Sequence, residues 1–312
     1  MSADLTAAQE SAAPPRAAAP ATLSPTRPFY WSVRREIWEN GSLYIAPMIV
    51  GALTLVGFLL GAVINMQGNV RFVTGSVVAR RAMTQAIPYS FAAFAIMVTA
   101  LIVGVFYCLA ALHTERRDRS ILFWKSLPVS DITTVLSKAA IPLVVLPVIA
   151  FACVIATQLV MLVLHMIILA SGGHDLSSLW ATVRLPEMTL LLAYGLVVHS
   201  LWYAPVIGWL LLVSAWAKQT PILWAVLPPL ALGIVEKIAT DTGYVLALLQ
   251  YRLAGGMDDA FAATPHVDGA AMELPRMDPA RFFSSPDLWV GLVVAALFIA
   301  GAIWLRRRRE PI

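Results

Sequence analysis

Six long apolar stretches divide the chain, and each is long enough to cross a lipid bilayer as a helix. They lie near residues 44–64, 87–112, 139–170, 187–216, 221–239 and 288–305. Crossing about 30 Å of hydrocarbon takes roughly 20 helical residues. The pattern therefore predicts an all-α integral membrane protein with six transmembrane helices.

Prolines mark the expected irregularities in these spans. Pro142 and Pro147 fall in the third stretch and Pro205 in the fourth, and we expect the helices to kink there. The fifth stretch is the weakest candidate, because Pro228 and Pro229 each remove a backbone N–H donor from its hydrogen-bond ladder.

Two polar segments precede the first span. Residues 1–28 are rich in alanine and proline and predict a disordered tail. Residues 29–43 predict an amphipathic helix that lies in the lipid headgroup plane, with a charged lead-in to the first span as the alternative. Its apolar positions are Tyr30, Val33, Ile37 and Trp38, and its charged positions are Arg34, Arg35, Glu36 and Glu39.

Composition agrees with a membrane protein: 59% of the residues are hydrophobic, only 13% are charged, and the mean hydropathy is +0.77. Cys108 and Cys153 both lie in apolar runs, so they are interpreted as packing residues rather than as a disulfide or a zinc site. No metal site is predicted. The net charge of +4 indicates basic residues collected on the cytoplasmic side of a membrane rather than nucleic-acid binding.

Basic residues also predict the orientation. The cluster at 306–309 directly follows the last span, and six spans place both termini on one side. With both termini in the cytoplasm, 14 of the 22 lysines and arginines lie inside and eight lie outside. The expected location is thus the cytoplasmic (inner) membrane, with a basic cytoplasmic C-terminus at 306–312 and a larger outer loop at about 241–287. Arg71, Arg80 and Arg81, in the first outer loop, go against this bias.

The densest charge cluster, HTERRDRSILFWKSLPVSDITTVLSK at 113–138, separates the second span from the third. Leu127 to Ser130 predict a turn, because proline fixes its own φ and restricts the residue before it. Ser130 is the expected N-cap of the next helix, with Asp131 at the positive end of its dipole. An apolar stripe is expected along that helix at Ile132, Val135, Leu136 and Ala139.

Two aromatic residues make this loop a candidate docking surface. Phe123 and Trp124 lie among arginines on the side predicted to be cytoplasmic, and aromatic and arginine side chains are the usual anchors of protein interfaces. An ordinary positive-inside loop would account for the arginines but not for Phe123, Trp124 or the capped turn.

The series ERRDRSILFWKSLPVSDITTVLSK resembles the segment between the second and third spans of type-2 ABC transporter permeases. The amphipathic helix, the six spans and the larger outer loop are also similar to that family's plan. Glu115 and Arg116 match the acidic-basic pair that ends span two, and residues 126–130 match the Ser-Leu-Pro-Val-Ser turn. Many family members have a glycine soon after the pair, where this chain has Asp118 and Arg119.

This resemblance implies a permease subunit that works as a homodimer or heterodimer with a second permease. The loop would dock on a separate ATPase subunit, which binds ATP and magnesium. The residues that the resemblance implies in that contact are Glu115, Arg116, Ser126, Leu127, Pro128, Val129 and Ser130. Arg117, Phe123, Trp124 and Lys125 are added as expected contacts because of their charge or their aromatic rings. The chain contains no G-x-x-x-x-G-K-[ST], H-E-x-x-H or G-x-S-x-G motif, so we expect neither an enzyme nor a cofactor in this chain.

Two other functions stay open: an ion-coupled secondary carrier and a non-transporting scaffold that uses the same loop. A carrier would ordinarily bring intramembrane carboxylates or inverted repeats, and neither is clear in the sequence. His165 and His199 lie inside spans and are candidates for a translocation path. A hydrogen bond to a neighbouring helix is the favoured interpretation for both, because neither has an acidic companion in its own span.

The predicted topology can be tested with single cysteines at Ser126 and Ala263 in a chain whose two native cysteines are replaced. We expect a membrane-impermeant maleimide to label Ala263→Cys but not Ser126→Cys in sealed cells, because only the larger outer loop would face the medium. Labelling at position 126 without labelling at 263 would reverse the topology.

Overall fold

The computed structural model describes residues 26–66, 77–120, 129–171, 183–255, 259–262 and 275–308, and most of these are helical. The predictions for residues 1–25, for the loop from Phe123 to Pro128, for Arg71 and for residues 309–312 lie outside the described residues, as do the side chains of Arg80 and Arg81.

The helices follow one another in this order: α1 (Thr26–Glu39), α2 (Ser42–Met66), α3 (Val77–Ala111), α4 (His113–Arg117), α5 (Asp131–Ala140), a π-helix (Ile141–Val145), α6 (Leu146–Ser171), α7 (Leu185–Trp202), α8 (Ala204–Trp216), α9 (Pro221–Thr240), α10 (Tyr244–Ala254), α11 (Pro279–Ser284) and α12 (Pro286–Arg308). Two-residue strands β1 (Phe261–Ala262) and β2 (Arg276–Met277) pair antiparallel between α10 and α11.

Six of the described helical segments are long and apolar enough to cross a membrane, and each overlaps one of the six predicted stretches. In the fourth stretch the candidate span is Leu185–Trp202, and the rest forms the shorter helix Ala204–Trp216. Large apolar side chains cover the outside of the bundle, as expected for helices surrounded by lipid rather than water. Examples with more than half of their surface exposed are Leu232, Val235, Ile238, Val290, Val293 and Leu297. The chain is therefore an all-α, multi-pass membrane protein.

Small residues let the spans approach closely. A side chain at Gly208 on α8 would meet the backbone oxygen of Ala295 on α12 at 3.1 Å, and one at Gly51 on α2 would meet the Thr157 hydroxyl on α6 at 2.8 Å. Close backbone approach is how membrane helices gain packing energy without a hydrophobic drive between them. Cys108 is fully buried in the same core and Cys153 packs against it, in agreement with the packing role predicted for both.

Two of the predicted proline irregularities are present. Pro142 lies within the π-helix, where the hydrogen-bond ladder shifts before α6 begins. The fourth span is divided at Tyr203, and Pro205 stands in the first turn of α8, where its missing N–H leaves no gap in the ladder. Pro147 is the second residue of α6, directly after the π-helix.

The fifth span is one continuous helix despite Pro228 and Pro229. An uninterrupted ladder would join the N–H of residue 229 to the carbonyl of Ala225, and proline has no such donor. The indole of Trp209 on α8 donates to that carbonyl instead, at 3.0 Å. A side chain from the neighbouring span thus replaces a backbone donor that lipid could not replace.

At one end of the bundle, α10, the strand pair and α11 fold against the spans. The Trp202 indole donates to the Arg252 carbonyl at 2.9 Å, and the Arg252 guanidinium lies 4.3 Å from the Trp202 ring centroid. Gly291 on α12 makes room for that guanidinium, which would clash with any Cβ there. Glu236, at the end of α9, caps α10 by accepting from the N–H groups of Tyr244 and Val245.

The other end is formed by α1, α4, the start of α5, the end of α8 and the end of α12. We call it the basic end. Helix α1 begins at Thr26, three residues earlier than predicted, and the predicted assignment of its faces is partly wrong. Val33 and Ile37 pack against the core and Glu36 is buried with them, whereas Tyr30 and Trp38 are exposed. Burial of Glu36 is possible because charged groups of other helices reach it.

Trp209→Phe tests whether the Trp209 indole takes the place of the backbone donor that Pro229 lacks in α9. Trp209→Phe should lower the free energy of unfolding by about 1 kcal/mol, because the Ala225 carbonyl loses its donor. In a Pro229→Ala background the restored N–H can serve that carbonyl, so the same change should cost less. Unfolding in detergent micelles measures both costs.

Trp304→Phe provides the control for that comparison, because Trp304 is exposed. We expect its cost to be the same in the wild-type and Pro229→Ala backgrounds. Equal costs of Trp209→Phe in the two backgrounds would show that the indole does not substitute for the missing backbone donor.

Candidate functional site

The second span ends in a bend that one serine holds. Its last turn, α4, is offset from α3 at Leu112. Ser214 on α8 is fully buried; its oxygen accepts from the N–H groups of Leu112 and His113 at 3.0 Å each and donates to the Leu109 carbonyl at 2.9 Å. The bend turns α4 toward the interior of the basic end, and with it the Glu115–Arg116 pair that the sequence singles out.

Glu115 is the centre of a buried charge network. Its side chain is only 9% exposed, and its carboxylate lies 3.1 Å from the Lys138 ammonium of α5. The Arg306 guanidinium of α12 donates to the second carboxylate oxygen, and Arg35 of α1 approaches to 3.7 Å. A single side chain therefore joins spans two, three and six and the helix before span one.

Glu36 is the second acidic member of the network. Lys138 donates to it at 2.7 Å, Arg35 at 2.9 Å and the Tyr107 hydroxyl at 2.8 Å. Burial by itself would raise the pKa of Glu36, but Lys138 nearby and the three hydrogen bonds outweigh burial and hold that pKa below its ordinary value. The carboxylate is thus an anion at neutral pH, although its side chain is only 2% exposed.

Arg306 connects the network to the first turn of α5, at the end of the loop. Besides Glu115, its guanidinium binds the Asp131 carboxylate of α5 at 3.0 Å. The residue before Asp131 is the predicted N-cap, and this prediction is confirmed: the Ser130 hydroxyl accepts from the Thr133 N–H at 3.1 Å. Consequently the first turn of span three is tied both to its own cap and to the last span.

The network balances its charges. Lys138, Arg306 and Arg35 face Glu115, Glu36 and Asp131, so three cations meet three anions, and the exposed Glu39 adds a fourth carboxylate at the edge, 3.5 Å from Arg35. Moving a charge out of water costs several kcal/mol, and only partners with good geometry and further hydrogen bonds offset that cost. The four members whose side chains are at most 9% exposed, Glu36, Glu115, Lys138 and Arg306, therefore depend on their charged partners to stay buried at low cost.

Arg116, the second member of the predicted pair, binds backbone carbonyls at the end of α8. Its guanidinium donates to the carbonyls of Ala215 and Ala217 at 2.6 and 3.3 Å, and the His113 ring lies 3.2 Å from the Ala217 carbonyl. The last carbonyls of a helix have no partner within the helix. Arg116 and His113 supply partners to the end of α8.

The predicted partner-contact residues thus fall into distinct groups. Glu115 and Arg116 are buried and bind groups of their own chain, whereas Arg117 is exposed and pairs with Asp118 at 3.1 Å. Val129 is half-buried and Ser130 exposed, and the other six lie outside the described residues. Along the apolar stripe predicted for α5, Val135 and Ala139 are buried while Ile132 and Leu136 are exposed.

The network includes residues to which sequence reasoning gave no such role: Arg35, Glu36, Tyr107, Lys138, Ser214 and Arg306. Glu36 carried one local signal, since it lies between Val33 and Ile37 on the face of α1 that packs against the bundle. Lys138 carried another, because it continues the face of α5 that holds Thr134 and Val135. No local pattern could pair them.

The two candidate histidines lie apart from the network and from each other. His165 packs with Phe58 and Tyr89, and its Nδ1 lies 3.3 Å from the Tyr89 hydroxyl. The His199 ring lies 4.5 Å from the Tyr203 ring at a tilt of 40°, and both residues line a mostly apolar cavity of about 50 Å³ between spans two, three and four. For His165, the favoured interpretation of a hydrogen bond to a neighbouring span is confirmed. Within the described ranges, no group of three or more His, Cys, Asp and Glu residues is placed to hold a metal ion.

Comparison with known proteins gives no further guide: no protein-family model, no curated protein and no solved structure matches the chain.

Neutralising Glu115 tests whether the network holds the basic end together. Glu115→Gln should lower the free energy of unfolding by about 3–5 kcal/mol, because Lys138 and Arg306 keep buried charges without their shared anion. Adding Arg306→Gln should then cost less than it does in the wild-type chain, because a surplus cation is removed. Unfolding in detergent micelles is the measurement.

Glu39→Gln is the matched control for Glu115→Gln. Glu39 is 52% exposed and its nearest described cation is Arg35 at 3.5 Å, so its loss should cost less than about 1 kcal/mol. Equal costs for the two glutamates would contradict the central place given to Glu115.

Proposed function

We propose that the chain is the permease subunit of an ABC transporter and moves a substrate across the cytoplasmic membrane with ATP hydrolysed by a separate ATPase subunit. The basic end faces the cytoplasm, α1 lies in the lipid headgroups, and the subunit works as a dimer. The proposal starts from the resemblance of residues 115–138 to the coupling segment of type-2 permeases. One structural observation supports it further: both stems of that segment are fixed in the same buried network.

The arrangement suits a loop that transmits force. Glu115 lies where span two ends and the loop begins, and Asp131 lies where the loop ends and span three begins. Arg306 binds both carboxylates. An arginine that contacts two carboxylates through separate nitrogens fixes their relative positions better than a single ion pair would. A displacement of the loop would therefore move spans two, three and six together.

This division of labour assigns the loop's residues to two tasks. Residues between Arg117 and Val129, with Phe123 and Trp124 as apolar anchors, contact the ATPase subunit. Glu115 and Arg116 hold the stems, because their side chains are buried against their own chain. The contact and its transmission are then separable by mutation.

Asp131→Asn tests transmission. It removes the negative charge that Arg306 binds at the third span while leaving the Glu115 carboxylate intact. We expect the variant to co-purify with the ATPase subunit as the wild type does, but substrate-stimulated ATP hydrolysis in proteoliposomes should fall severalfold. Glu39→Gln is the control, since Glu39 is 52% exposed and lies outside the segment assigned to the ATPase contact, so neither measurement should change.

Trp124→Ala tests the contact in the same assays. Truncation of a buried interface anchor costs about 2 kcal/mol or more, so the ATPase subunit should bind roughly 30-fold more weakly. Normal binding and normal stimulation in both Asp131→Asn and Trp124→Ala would refute the coupling role and favour the scaffold or carrier.

A further inference from the structure

The outward face of α1 presents a cation between two aromatic rings. The Arg34 guanidinium carbon lies 5.1 Å from the Trp31 ring centroid and 4.5 Å from that of Trp38. The two indoles are 56% and 68% exposed, although burial would be expected of rings that serve a core. The opposite face of α1 carries Glu36 into the charge network, so the network fixes the outward direction of this cluster.

Arg34 differs from its neighbour Arg35 in its ionic surroundings. Arg35 lies within 4.0 Å of three carboxylates, those of Glu36, Glu39 and Glu115. Among the described residues, no carboxylate lies within that distance of Arg34. A guanidinium that interacts with aromatic faces keeps its in-plane N–H donors available, and those donors match the oxygens of a phosphate group.

The position of the cluster along the chain places it at the border of the hydrocarbon. The apolar run of the first span begins at Ser42, a few residues after Trp38. A second arginine–tryptophan pair stands at the same end of the bundle, where the Arg308 guanidinium carbon lies 4.6 Å from the ring centroid of the exposed Trp304. Tryptophan concentrates at the level of lipid headgroups, where its ring meets both apolar and polar surroundings.

The charges exposed at the basic end are mostly positive. Arg117, Lys218, Arg307 and Arg308 are exposed there, while the exposed acids Glu39 and Asp118 both have an arginine partner. An anionic membrane surface attracts such cations with about 1 kcal/mol for each residue near it. Charge complementarity thus favours an anionic lipid over a neutral one as the occupant.

We propose that Trp31, Arg34 and Trp38 form a binding site for the phosphate group of an anionic membrane lipid. The guanidinium donates to the phosphate oxygens, and the two indoles cover the glycerol region and the upper acyl chains. The site lies on the helix that supplies Glu36 and Arg35 to the charge network. A bound lipid would therefore stabilise the position of α1 and, through Glu36 and Arg35, the charge network.

The test uses the purified chain alone, so its outcome does not depend on the proposed transport function. The probes are phosphatidylglycerol and phosphatidylcholine with identical acyl chains, added in detergent, and native mass spectrometry measures how much of each lipid the protein retains. The wild type should retain phosphatidylglycerol preferentially. Arg34→Gln should weaken that retention about fivefold, the approximate worth of one cation at an anionic surface.

Arg34→Lys distinguishes a specific phosphate site from a general electrostatic attraction between cations and an anionic lipid. It keeps the positive charge but loses the planar fork of donors, so a site built around the guanidinium should lose most of its selectivity. Arg117→Lys is the matched control, because Arg117 is an exposed cation at the same end with no described aromatic ring beside it, and it should retain lipid as the wild type does. Trp38→Leu gives a second test, since it removes an indole while keeping an apolar side chain.

Three results would overturn the proposal. Equal retention of the two lipids would remove the anionic specificity, and wild-type retention by both Arg34→Lys and Trp38→Leu would reduce it to diffuse attraction. Displacement of the lipid by millimolar inorganic phosphate would assign the arginine to a free anion instead. Unfolding in neutral detergent verifies that each variant folds like the wild type.

Discussion

A charge taken out of water must be paired, and in this protein that requirement falls on Glu115 between Lys138 and Arg306. The three residues come from spans two, three and six, so their pairing fixes how far each of those helices extends at the basic end. Glu36 adds the helix before the first span through the same lysine. Apolar packing alone would let membrane helices slide at modest cost, whereas a misplaced buried charge costs several kcal/mol.

The same rule acts on the backbone wherever a helix is interrupted. Lipid offers no hydrogen bonds, so each broken or ending helix needs a polar side chain from a neighbour. Ser214 accepts from the N–H of Leu112 at the bend, and Trp209 donates to the Ala225 carbonyl that Pro229 leaves without a backbone donor. Arg116 donates to the Ala215 carbonyl at the end of α8. In each of these hydrogen bonds one partner belongs to α8. This helix therefore supports interrupted backbone both near Pro229 and at the basic end.

Local patterns in the sequence were sufficient for the spans and for the Ser130 cap. An apolar run of about 20 residues must be a helix in lipid, and a serine before an amphipathic run has few other roles. The faces of α1 could not be predicted in the same way, because the burial of Glu36 depends on Lys138, which is 102 positions away. The fifth span was the weakest prediction for a related reason, since nothing near Pro229 shows that Trp209 supplies the missing donor.

The candidate site illustrates the same limit. Glu115 and Arg116 stood out as a pair because they end an apolar run, yet one binds cations from three helices and the other binds two carbonyls. Only the packed bundle distinguishes these roles. A short motif can therefore single out a pair of residues without showing which groups of the folded chain each of them contacts.

The place of Arg306 in the last span has a consequence for biosynthesis. Membrane helices enter the bilayer in chain order, so Glu115, Lys138 and Glu36 meet while the sixth span is still being made. Until then Asp131 lacks the guanidinium that binds it and Glu115 lacks one of its two closest cations. Charge pairing at the basic end is therefore complete only after the sixth span has entered the bilayer.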